Sequence, residues 1–175
     1  MPTPFQGCVD FNIFRGELAN LKSSKMPQSL TKLYLHIVFS TKHREPLISD
    51  DLKDNLYEYL GGICRQMECY PIEIGGYFDH VHILCHLSKK VTVIKLLEEI
   101  KKASSKWVKT TGDDFGGFYW QDGYAAFSVG QLELEAISEY IRNQHKHHDK
   151  QTYQDECRVL FKKYNLEYDE KYVWD

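Results

Sequence analysis

Two histidines flank one valine in the apolar stretch Tyr77–Ser88, YFDHVHILCHLS. Residues two apart on a strand project from one face, so His80 and His82 point one way and Val81, Ile83 and Cys85 the other. Two neighbouring imidazoles are costly to bury bare, yet they make half of a metal site. The plainer alternative is a hydrogen-bonded pair at a sheet edge. A second group lies in Ser138–His148, SEYIRNQHKHH, where Tyr140 and Gln144 stand four apart and share a helix face. A phenol, with an ordinary pKa of about 10, is a poor nucleophile at neutral pH. A divalent cation that polarises a phosphate oxygen makes the phosphorus easier to attack, and a tyrosine can then split one hard displacement into two through a phosphotyrosine. Two imidazoles and an amide oxygen leave coordination positions open, and such a mixed set suits Mg²⁺ or Mn²⁺.

The elements that must position these groups can be read from periodicity. Leu33–Phe39, LYLHIVF, is rich in β-formers and reads as a strand buried on both sides. Pro46 ends the loop that follows, and Ser49 is placed to cap a helix from Asp50 to Met67 whose buried stripe is Leu52, Leu56, Tyr59, Leu60 and Ile63. Gly61 and Gly62 weaken it midway. Strands are expected over Tyr70–Gly76 and His80–Leu87, with Gly75 and Gly76 opening the turn between them. Thr92 opens a second helix to Thr110. A Gly- and aromatic-rich loop, Gly112–Asp122, leads to a strand over Tyr124–Val129. A helix from Gln131 to His147 carries Tyr140 and Gln144, and a last helix spans Thr152–Tyr164. The order β-α-β-β-α-β plus two C-terminal helices is an α+β, ferredoxin-like split β-α-β arrangement. Its antiparallel sheet has helices on one face, and the histidine strand is central, beside the first.

Composition excludes several classes. The 175 residues are 42% hydrophobic and 27% charged, ordinary for a globular domain, and no run reaches membrane-spanning length. The five cysteines are scattered and lack CxxC spacing, which points to reduced thiols and a cytoplasmic protein; Cys8 has no assigned role. Net charge is −3, awkward for a nucleic-acid partner, but Lys89, Lys90, Lys95, Lys101, Lys102, Lys106 and Lys109 cluster in one segment and Lys42, His43 and Arg44 in another. Residues 1–25 show no period. They are expected to be an extension or flexible arm before a natural start at Met26, with the main domain over 26–150 and a helix and tail over 151–175.

The ordered set FSTKHREPLI, GGYFDHVHILCHLS, YWQDGYAAFSV and YIRNQHKHH resembles the single-tyrosine HUH transposases of the insertion-sequence 200/605 group and the related repeat-associated tyrosine transposases. The resemblance covers Leu33–His148. It implies an enzyme that cuts and rejoins single-stranded DNA at hairpins. His80 and His82 would hold Mg²⁺ or Mn²⁺, with Gln144 as third protein ligand. Tyr140 would attack the phosphate, keep the 5′ end and release a 3′-OH. It also implies a homodimer, in which one subunit's tyrosine helix can complete the other's histidine pair. Lys42, Arg44, Lys89, Lys90, Lys102, Lys106 and Trp120 are the candidate DNA-binding residues.

Two other readings compete. A ferredoxin-like nucleic-acid-binding module without catalysis would want aromatic rings where His80 and His82 stand. A zinc hydrolase or zinc-stabilised structural protein could recruit His86, four past His82 on the same strand face, but would leave Tyr140 and Gln144 without a task.

Overall fold

The protein is described by a computed structural model over residues 29–112, 115–148 and 151–174. The expected extension 1–25, the start at Met26 and Cys8 lie outside the described residues. Strands β1 (Tyr34–Ser40), β2 (Tyr70–Gly76), β3 (His80–His86) and β4 (Ala125–Val129) form one antiparallel sheet in the order β2-β3-β1-β4. The histidine strand is therefore central, next to β1. The pairing sets Ser40 opposite His80 and Val38 opposite His82.

The alternation of β1 and β3 divides the core in two. Ile37, Phe39, Val81, Ile83 and Cys85 face α1 (Asp50–Gln66) and α2 (Val93–Val108), whose Leu52, Leu56, Leu60, Leu96, Leu97 and Ile100 complete the larger cluster. Burying each such aliphatic side chain contributes roughly 1.5–3 kcal/mol. Thr92 caps α2 through its side chain, accepting from Lys95 N at 3.3 Å, whereas Ser49 stands at the N-cap of α1 without a side-chain capping bond. Helix α1 runs through Gly61 and Gly62 unbroken.

The second face of the sheet carries α3 (Leu134–Arg142), α4 (Gln144–His148) and α5 (Tyr153–Lys163). Ile137 and Ile141 pack on Leu84 and Val129, while Tyr153, Cys157, Leu160 and Phe161 pack on Val38 and Phe127. Both central strands are thus buried from two sides, as their apolar runs require.

One expectation changes. The helix expected over Gln131–His147 is three pieces: a 3₁₀ turn at Gln131–Glu133, then α3, then α4. Asn143 makes the second break, its amide donating to Glu139 O at 2.8 Å, the local side-chain-to-backbone bond by which Asn competes with a helix. The strand expected over Tyr70–Gly76 is observed with those bounds, and of the Gly-Gly-Tyr-Phe-Asp hairpin segment only Tyr77-Phe78-Asp79 lies outside the strands. What Gly75 supplies is space. A Cβ there would meet Ile141 O at 2.8 Å, so its absence lets the end of α3 lie directly on β2.

Candidate active site

His80 and His82 project from β3 into the layer beneath α4 and α5, and both are wholly buried. Each has its outer nitrogen engaged. His80 Nδ1 lies 2.6 Å from Asp79 Oδ1, and His82 Nδ1 lies 2.9 Å from His36 Nε2. Asp79 is itself anchored, since Thr41 N and Thr41 Oγ1 both donate to its carbonyl, at 2.7 and 3.1 Å. His36, on β1, comes within reach of His82 because the two are diagonal neighbours on one face of the sheet. Burial, and then the neighbouring His82, push the His36 pKa down to about 3, so its ring is neutral.

The inner nitrogens turn toward Glu156. His82 Nε2 stands 3.2 Å from Glu156 Oε1, and His80 Nε2 stands 3.4 Å from Oε2. One ligand atom from each of His80, His82 and Glu156 can be chosen so that all lie within 4.8 Å of one another. Gln144, nearly fully buried, donates from Nε2 to Glu156 Oε1 at 2.9 Å and holds its Oε1 3.4 Å from His80 Nε2. The Tyr140 hydroxyl also donates to Glu156 Oε1. Burial, followed by the Glu156 charge, raises the phenol's pKa well above its ordinary value, so Tyr140 is a protonated hydroxyl at neutral pH. Its edge lines a surface cleft with Glu139, Asn143 and Lys146. A second phenol, Tyr153, has its ring 5.0 Å from that of His80 but is buried, and burial likewise raises its pKa.

Four of the expected groups therefore meet within one chain. The donor set of two imidazoles, a carboxylate and an amide oxygen fits a divalent cation such as Mn²⁺ or Mg²⁺. His86 does not join them. It lies four positions along the strand from His82, about 13 Å away, and packs instead between Tyr34 and Tyr70.

Two members were not singled out from sequence. Glu156 lies on the apolar stripe of α5 with Tyr153, Cys157, Leu160 and Phe161, a carboxylate at a core position and hence a visible anomaly. His36 lies in LYLHIVF, inside an apolar run just as His80 and His82 do.

The candidate DNA residues separate into groups. Lys42, Lys102 and Lys106, with Lys101 and Lys109, line two adjoining clefts that share Trp120, Gln121 and Asp122. These clefts lie at the His80 end of the sheet, since Gln121 N donates to Ser40 O at 2.9 Å and Ser40 pairs with His80. Lys101 pins the loop there, donating to the carbonyls of Gln121, Asp122 and Gly123. Lys89 and Lys90 follow β3 at the other end of the sheet, and Lys90 pairs with Glu68 at 2.8 Å. Arg44 donates to Trp174 O at 2.7 Å. Trp120 is a core residue, buried and donating from Nε1 to Ser104 Oγ, so its ring faces are closed to a base; the exposed ring is Tyr119, with Lys109 Nζ 3.3 Å from its centroid.

Known proteins share this fold. A solved structure of a Deinococcus radiodurans protein described as a transposase superposes with a TM-score of 0.54 at 24% identity, covering 70% of this chain and 98% of that one. A REP-associated tyrosine transposase bound to a REP hairpin superposes at 0.52 with 13% identity, covering 72% and 74%. At such identities these likenesses speak for the fold. In sequence, the ISDra2 transposase TnpA of Deinococcus radiodurans is 24% identical over 119 residues, which is 65% of this chain and 85% of that protein. The sequence profile of the family described as IS200-like transposases matches residues 29–144, from before β1 to Gln144 itself and so short of α5. That match takes in well over half of the chain, including both strand histidines and the tyrosine: the chain belongs to the IS200-like transposase family.

Proposed function

We propose that this transposase cleaves and rejoins single-stranded DNA through a covalent 5′-phosphotyrosine on Tyr140, assisted by Mg²⁺ or Mn²⁺. The observation that carries the reading is the convergence of His80, His82, Gln144 and the Tyr140 hydroxyl on one carboxylate, Glu156, from β3, α3, α4 and α5. His80, His82 and Glu156 would hold the cation, with Gln144 Oε1 the further donor on that side. The bound cation would supply charge stabilisation to a phosphate oxygen in the transition state. Tyr140 Oη forms the bond to phosphorus while the bond to the 3′ oxygen breaks. The phenolic proton passes to the Glu156 carboxylate that already accepts it and is relayed to the departing 3′ oxygen, which leaves as a hydroxyl, so no proton is gained or lost overall. Attack by a 3′-OH on the phosphotyrosine reverses these changes and restores the phenol, so rejoining needs no external energy source.

A hairpin substrate is supported by the REP hairpin seen with the related tyrosine transposase. The Lys42, Lys102 and Lys106 clefts, with Tyr119 beside them, offer cations for phosphates and one ring for an unpaired base. The reading includes a homodimer, and the ring of Tyr140 lies 5.9 Å from that of His82 of its own chain, so each subunit would carry its own tyrosine beside its own histidines.

The test is incubation of the protein with Mn²⁺ or Mg²⁺ and end-labelled single-stranded DNA hairpins drawn from the sequence flanking its gene. With the label at the 3′ end, the expected products are an upstream fragment with a free 3′-OH and a labelled downstream fragment retained on denatured protein through its 5′ phosphate. Two fragments with no retained label would instead indicate a hydrolase, a reading the His-His-Glu donor set would also allow with Zn²⁺.

A further inference from the structure

His36 lies inside the family match but is neither a ligand nor a nucleophile in the reading above. Its Nε2 is 2.9 Å from His82 Nδ1, buried, with the two rings 5.2 Å apart and inclined by 24°. On its other side, His82 Nε2 is 3.2 Å from Glu156 Oε1. A neutral imidazole carries one N–H, so the short contact between the rings holds one proton with two possible owners. If His36 donates, His82 must carry its proton on Nε2, the nitrogen 3.2 Å from Glu156 Oε1, and that nitrogen then has no lone pair for a cation. If His82 donates from Nδ1, His36 accepts and Nε2 of His82 is a ligand. The Glu156 carboxylate favours the first arrangement, while cation binding demands the second.

We propose that His36 is a positioning residue whose task is to accept the Nδ1 proton of His82 and so free Nε2 of His82 for the cation. The inference rests on the metal-assisted reading of the site. The change between the two arrangements moves the proton of His82 from Nε2 to Nδ1 and that of His36 from Nε2 to Nδ1. No proton is gained or lost overall. His80 needs no such device, because the Asp79 carboxylate, which can accept but not donate, already faces its Nδ1 and holds the proton there.

Mn²⁺ affinity, measured by the loss of its free-ion electron paramagnetic resonance signal, tests this without recourse to activity. His36→Phe fills the space without an acceptor, and His36→Gln keeps one. His36→Phe is expected to weaken Mn²⁺ binding about 10- to 100-fold, as for other outer partners of metal-ligating histidines, with His36→Gln closer to wild type. In case His36→Phe does not fold, long-range ¹H–¹⁵N spectra of wild type loaded with diamagnetic Zn²⁺ report the same point. They should show His82 protonated at Nδ1 and His36 protonated at Nδ1. Equal Mn²⁺ affinity in folded wild type and His36→Phe, or His36 protonated at Nε2 in the loaded protein, overturns the inference alone. Failure of wild type to bind any of these cations overturns the metal-assisted reading, and this inference with it.

Discussion

Glu156 accepts from Tyr140 and Gln144 and faces both strand histidines, so its charge organises every polar group around it. Replacing it with alanine strips the acceptor from two donors in the buried layer, at about 1–3 kcal/mol each. Glu156→Gln keeps an acceptor and loses the charge. If the carboxylate is a ligand, a cation at one hundred times its Kd stabilises wild type by about 2.7 kcal/mol, and Glu156→Gln should forfeit most of that gain. Urea unfolding with and without Mn²⁺ checks this; an equal gain in both proteins would remove Glu156 from the ligand set. At this scale the sequence was partly legible. His80, His82, Tyr140 and Gln144 could be picked out by spacing within single segments. Glu156 and His36 reach the same point only through the fold, one by α5 turning back over the sheet and the other by a diagonal across two paired strands. Each left a trace as a polar residue on an apolar face, but the trace does not name its partner.

The strands and most helices follow from periodicity, and their expected bounds agree with the observed ones to within a few residues. The exceptions have local causes. Asn143 bonds back to the carbonyl of Glu139 and breaks the tyrosine helix, which apolar spacing alone does not reveal. Gly75 falls at the end of its expected strand, but a Gly-Gly pair commonly marks a turn and does not reveal that this one clears the path of a helix. That contact predicts that Gly75→Ala, by pushing the end of α3 off β2, destabilises the protein by about 1–3 kcal/mol and slows covalent attachment to DNA. Gly62→Ala is the matched control. It lies in α1 with nothing within 4 Å of the added methyl, and should stabilise by roughly 0.5–1 kcal/mol. Denaturant midpoints of the two variants check both signs, and a Gly75→Ala protein as stable as wild type would contradict the close approach.

Over the whole molecule the charge of −3 hides a division of labour. The lysines that look like one cluster in sequence are divided between the turn after β3, which holds Lys89 and Lys90, and α2 with its C-cap, where Lys95 and Lys106 stand about 16 Å apart at the helical rise. Only those near the Trp120–Asp122 loop share the end of the sheet that carries His80. Replacing Lys102 and Lys106 together by alanine should weaken hairpin binding and flatten the dependence of log K on log salt by about 0.7 per lost phosphate contact on single strands. Lys90→Ala, which removes a surface ion pair with Glu68, should leave both unchanged. Titration of a labelled hairpin over a salt series checks this, and equal slopes for the two variants would move the DNA surface elsewhere.

The central claim is that Tyr140 is the group that takes the phosphate, and two phenols adjoin the histidines. Tyr140 opens onto a surface cleft and donates a hydrogen bond to Glu156, whereas Tyr153 is buried beside His80. The most direct measurement is mass spectrometry of the protein–DNA adduct after nuclease and protease digestion, with Tyr140→Phe and Tyr153→Phe run in parallel. The account predicts a nucleotide on Tyr140 alone, lost in Tyr140→Phe and kept in Tyr153→Phe. A nucleotide on Tyr153, or cleaved hairpin with neither tyrosine modified, would contradict it.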